Sequence, residues 1–206
     1  IYHQGVKNYA AARATHHEAL AIRRGERNLR GQADSLLNLG AVANAENEAR
    51  VGVDYGRQAL AIYEQLGLKR YQFNAHIQIG TGLRKLNRVN EALKHQRAAM
   101  ALAETLGSPS ALAIAYRALS ASYEARRDHT AALQFARKAG ALSGRVNSEK
   151  ARQDIVALEI KFQTERRQHE LDVLRRDQAI AVAELGRARA LRYGMGAVFV
   201  LGAVAF

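Results

Sequence analysis

Histidines are the side chains best suited to chemistry here, and the chain of 206 residues has seven. His16-His17-Glu18 sets two rings next to each other, but neighbouring side chains on a helix point about 100° apart and cannot share an ion. Glu91 and His95 stand one helical turn apart on a common face, yet no second pair completes a coordination set. His76, His129 and His169 stand alone as histidines, so polar surface histidines are expected and no metal. Gly80-Thr81-Gly82 has the composition of a phosphate loop, but it follows helix rather than strand and lacks a third glycine. No nucleophile elbow or ordered Ser, His and Asp signature occurs. Without Cys there is no thiol nucleophile, thiolate site or disulfide. The segment therefore reads as having no catalytic residue, no metal and no cofactor. It is not expected to be an enzyme.

The elements that could position a binding site are helices. One Pro, no Trp and abundant Ala, Leu, Arg and Gln describe a nearly all-helical chain. The formal charge of +12 invites nucleic acid or an anionic membrane. Residues 1–148 hold 21 basic and 11 acidic residues, and 149–206 hold 10 and 8. The excess is spread over many turns without interleaved aromatics, so nucleic acid is not the expected partner.

The organising feature is a period of forty residues. Gly40, Gly80 and Ser120 recur at that spacing, as do Ala19, Ala59, Ala99 and Ala139, and Ala12, Gly52, Ala92 and Ala132. Leu39, Ile79 and Leu119 precede the first series, and Leu66-Gly67 returns as Leu106-Gly107. A glycine within a helix costs about 1 kcal/mol relative to alanine, so Gly40 and Gly80 need a structural reason. Each period reads as two amphipathic helices, 31–47 and 49–66 in the second, which bury their faces only by stacking on neighbouring pairs. The small residues Gly40, Gly80, Ser120, Ala59, Ala99 and Ala139 are then packing notches where helices approach closely. Asn87-Arg88 and Arg127-Asp128 read as turns, Gly67 as a C-terminal cap, and Gly107-Ser108-Pro109 as a stop followed by a new helix.

These residues resemble the tetratricopeptide repeat in its longer form of about forty residues. The pattern is Leu39-Gly40, Gly52 and Ala59-Leu60, then Ile79-Gly80, Ala92 and Ala99, then Leu119-Ser120, Tyr123, Ala132 and Ala139. The resemblance covers residues 1–147, a partial first repeat and three whole ones, and implies an all-α solenoid of helical hairpins. It departs from the family where a bulky residue is usual in the second helix: His16, Gly56, Gln96 and Ala136 stand there, which implies looser stacking. The chain opens mid-repeat at Ile1 without Met, as a segment of something longer would.

Residues 148–192 read as a long charged helix, N-capped by Ser148, with a half-apolar seam through Ile160, Leu171, Leu174, Ala181 and Leu185. It suits a solvated connector or a homodimeric coiled coil. Tyr193–Phe206 carries no charge and follows Arg187, Arg189 and Arg192, which gives the expectation of a truncated transmembrane helix. Repeats, then such a helix and an apolar stretch, are similar to the sensory halves of bacterial membrane signalling proteins with a GGDEF diguanylate cyclase or histidine kinase output. That likeness implies a membrane-anchored sensor with periplasmic repeats, although the arginine count favours the cytoplasm. The alternative expectation is an anchored scaffold or assembly factor without an enzymatic output.

A solenoid of this type has a groove lined by the first helix of each repeat. Registering those helices on the notches puts Asp34, Asn38, Ala41 and Asn44 there, then Asn74, Gln78, Thr81 and Arg84, then Arg117 and Glu124. The family resemblance implies a protein or peptide ligand at such positions, with amides gripping its backbone and Arg84 and Arg117 taking an acidic group.

Overall fold

The computed structural model describes residues 9–142 and 148–204, and beyond 147 the side chains at 153 and 155–186. Among these residues there are eight α-helices and no strand: α1 Tyr9–Gly25, α2 Leu29–Ala45, α3 Ala49–Gln65, α4 Lys69–Lys85, α5 Val89–Thr105, α6 Pro109–Ala125, α7 His129–Leu142 and α8 Ser148–Val204. Helices α1 to α6 each have 17 residues. What cuts them to one length is a left-handed residue every twenty positions: Arg27, Asn47, Gly67, Asn87, Gly107 and Arg127 all have positive φ. After each, the next N–H reaches back over the helix end, as Leu68 N does to the Tyr63 carbonyl at 2.9 Å and Arg88 N to that of Leu83 at 2.9 Å. Side-chain caps fix the starts of α2 and α6, whereas α3, α4 and α5 start without one. Asn28 accepts from Gly31 N at 2.9 Å, and Ser108 from Ala111 N at 3.3 Å with Pro109 opening α6.

Successive helices pack as antiparallel hairpins, and the crossings repeat at forty residues. A Cβ on Gly40 would lie 2.9 Å from the Gly52 carbonyl oxygen, and one on Gly80 would lie 3.3 Å from that of Ala92. At the third crossing Ser120 Oγ donates to the Ala132 carbonyl at 2.8 Å, turning the notch into a hydrogen bond. Ala59, Ala99 and Ala139 are buried. The core follows this stacking: Leu36, Leu39, Val53, Tyr63, Ile79 and Leu83 form one cluster, and Leu93, Leu119, Tyr123, Ala132 and Leu158 another. The absent bulky residues of the second helices are compensated from neighbouring helices. Gly56 is buried because Ile79 fills its place, with Cγ1 2.8 Å from where a Cβ would be, and Gln96 is itself buried against Gly80.

The chain divides into two compact units, Ile1–Leu158 and Glu159–Phe206. The membrane anchor expected at Tyr193–Phe206, and with it the membrane-anchored localisation and the membrane partner, is corrected here. Among the described residues no helix is long and apolar enough to cross a membrane. The side chains of residues 193–206 lie outside the described residues.

Candidate functional site

Helices α2, α4 and α6 touch one another across the repeats, whereas α3 and α5 do not, so the first helices form the inner wall of the solenoid. On that wall lies a groove of about 330 Å³ lined by Ala41 and Asn44 of α2, by Phe73, Asn74, Ile77, Gln78 and Thr81 of α4, and by Ile114 of α6. Phe73, Asn74 and Ile114 also line an adjoining hollow of about 350 Å³, which Arg70, Ser108 and Ser110 enter. Together they make an apolar floor with amides along one side and a guanidinium at one end. Ile114 keeps 39% of its surface exposed in this floor.

Of the residues registered on the groove from sequence, Ala41, Asn44, Asn74, Gln78 and Thr81 line it. Asn38, Arg84, Arg117 and Glu124 do not line either hollow. Asp34 is turned outward to α3, where the buried Tyr63 hydroxyl donates to its carboxylate at 2.7 Å. Burial first, and then that carboxylate, pushes the Tyr63 phenol up. Thr81 donates to the Ile77 carbonyl at 2.9 Å within its own helix. Arg70 is a groove residue that sequence reasoning passed over, because nothing distinguishes it from the other basic residues of the first turns.

The glycines prepare room for amides. Asn44 Oδ1 lies 2.5 Å from where a Cβ on Gly52 would be and 2.9 Å from one on Gly82, and Gln78 Nε2 lies 2.1 Å from one on Gly40. Both amide atoms are buried, and neither has a hydrogen-bond partner. A buried acceptor left this way costs about 1–3 kcal/mol, so each unsatisfied atom calls for an explanation. Asn44 also lines the groove, while its Oδ1 is held in the space left by Gly52 and Gly82.

The structure also joins two histidines that are far apart in sequence. His76 Nδ1 of α4 and His95 Nδ1 of α5 are 2.9 Å apart, a hydrogen bond in which one ring donates and the other accepts. Burial lowers His76 below its ordinary value near 6.5. Burial, then the charges of His76 and Arg57, lowers His95, against Glu91 and Glu64, which raise it. Both rings are therefore held neutral, while the unfolded chain takes up protons first as pH falls. Their contribution to stability is complete above about 6.5 and is lost as pH falls through the lower folded values. Thermal melts at about pH 7.5 and pH 5 should show a larger drop for the parent than for His76→Asn with His95→Asn. Equal drops would remove the pair as the acid-sensitive contact. Among the described residues no group of three or more His, Cys, Asp or Glu could hold a metal.

No protein-family model and no curated protein matches the chain. A crystal structure of a Rap protein complexed with Competence and Sporulation Factor is similar in fold, with a TM-score of 0.69 at 20% identity, covering 78% of this chain. The fold is of the tetratricopeptide type. This chain spans 46% of the Rap chain, so the likeness extends over about half of that protein.

Proposed function

We propose that this chain is a peptide-binding module whose ligand lies extended along α2, α4 and α6. The observation that carries this reading is a groove whose floor leaves Ile114 39% exposed, with Asn74 standing exposed beside it. An extended peptide supplies an apolar side chain for the floor formed by Phe73, Ile77 and Ile114. Asn74, exposed on the same helix, can hold the next peptide unit, and Arg70 in the adjoining hollow suits a carboxylate. The structural neighbour, a Rap protein complexed with Competence and Sporulation Factor, supports the use of this fold to take up a partner.

The test is panning of the immobilised full chain against a random dodecapeptide library, beside an Ile114→Asp variant that places a charge in the floor. Enrichment on the parent of peptides with an apolar residue near an acidic one is expected. No sequence enriched above the variant would contradict the reading.

The finer reading is an input module coupled through α8 to a diguanylate cyclase or histidine kinase output. It is supported by the order of elements, repeats followed by a charged helix of 57 residues. The coding sequence after Phe206 tests it: a cyclase or kinase domain is expected there, and a stop codon with no output domain would favour a scaffold.

A further inference from the structure

From Arg166 to Gly186 every side chain of α8 is exposed, including Leu171, Leu174 and Leu185 at 48%, 57% and 60%. These leucines fall on one seam with Ile160 and Ala181 when the helix is read in heptads with Leu171 at the first core position, a, and Leu174 at the second, d. The flanks of that seam are sorted by sign. Glu170, Asp177 and Glu184 occupy the g positions on one side, and Lys161 and Arg175 the e positions on the other. We infer that this face is covered by the same face of a second copy, in a parallel, in-register coiled coil.

Charge decides both the partner and its direction. In a parallel pair each g position meets the e position of the following heptad on the other helix, so Glu170 of one copy meets Arg175 of the second, twice by symmetry. An antiparallel pair would set g against g and e against e, acid against acid and base against base. In the single helix Glu170 is bonded to Arg166 at 3.1 Å and Arg175 to Asp172 at 3.6 Å. These side chains are more than half exposed, and such pairs hold little energy, so exchange for an interhelical pair meets small resistance. Arg167 at d and Gln178 at a interrupt the apolar seam. Polar core layers of this kind weaken a coiled coil while fixing its register. The interface is therefore a moderate one, suited to association that responds to concentration. It uses only α8 and does not depend on the groove.

The absence of native Cys makes the test direct. In the full chain, Ile160→Cys and Leu185→Cys are introduced one at a time. The two positions are about 37 Å apart along a helix, at 1.5 Å per residue. Each variant should form a disulfide dimer with itself, and a mixture of the two should form no 160-to-185 cross-link. Sedimentation over a concentration series should show a dimer that Leu171→Asp with Leu174→Asp weakens at least a hundredfold, with helicity retained. Glu170→Lys should weaken it about tenfold, and adding Arg175→Glu should restore it. A monomer at every concentration without cross-links, mixed cross-links alone, or a dimer indifferent to the Asp pair would each overturn the proposal.

Discussion

Replacing Gly40 with leucine is expected to destabilise the solenoid by about 3 kcal/mol or more, the upper range for overpacking a tight contact. A Cβ at this position would lie 2.1 Å from Gln78 Nε2, 2.9 Å from the Gly52 carbonyl oxygen and 3.2 Å from Tyr55 Cβ. The Gln78 amide could rotate away. The carbonyl oxygen is backbone of α3 and can yield only if the whole helix shifts, which would disturb the neighbouring Leu39, Val53 and Ile79 contacts of the core. Domains have total stabilities of about 5–15 kcal/mol, so a loss of this size lowers the melting temperature by many degrees. Gly25→Ala is the matched control, because nothing lies within 4 Å of its would-be Cβ and its effect should be neutral or slightly stabilising. Thermal melts followed by circular dichroism compare the two. If Gly40→Leu melts with the parent, α2 and α3 do not cross where the structure puts them.

The second large effect is expected in the groove. Asn74→Ala combined with Ile114→Asp should lower affinity for a library-selected peptide about a hundredfold, equivalent to about 2.7 kcal/mol. The amide deletion removes a hydrogen-bond partner of the peptide backbone, and the aspartate puts a charge where an apolar side chain would be desolvated. Both residues are exposed, so the melting temperature should stay near that of the parent. Calorimetric titration of the parent and the double variant gives the ratio. Undiminished affinity in a folded double variant would move the binding site off this wall.

The fold was legible in the sequence because its packing demand is periodic. A glycine or serine returning every forty residues within an otherwise helical pattern marks one repeated crossing, and helical hairpins that bury their faces by stacking follow from it. The turns were only half visible. Six left-handed residues recur every twenty positions; Gly67, Asn87, Gly107 and Arg127 fall in segments that read as caps or turns, while Arg27 and Asn47 adopt the same conformation without having been marked. The groove divides in the same way. Asn44, Asn74, Gln78 and Thr81 follow from registering α2 and α4 on their notches. Phe73, Ile77 and Ile114 were hidden because an apolar residue on a helix reads as core whether it ends beneath a neighbour or in a groove floor. The His76–His95 bond lay beyond any local pattern, since it needs the rotation of α4 against α5 to fractions of a turn. The apolar terminal run shows the opposite failure: its composition suggested a membrane span, and among the described residues no helix is long and apolar enough to cross a membrane.

Backbone amide exchange of the full chain, with and without a library-selected peptide, tests most directly whether the inner wall is the binding surface. Proteolytic fragments resolve α2, α4 and α6 from α3 and α5. The peptide should slow exchange in the segments 38–45, 70–81 and 108–117 and leave those of α3 and α5 unchanged. Protection on α3 and α5, or no change anywhere while the peptide remains bound, would contradict the assignment of the groove.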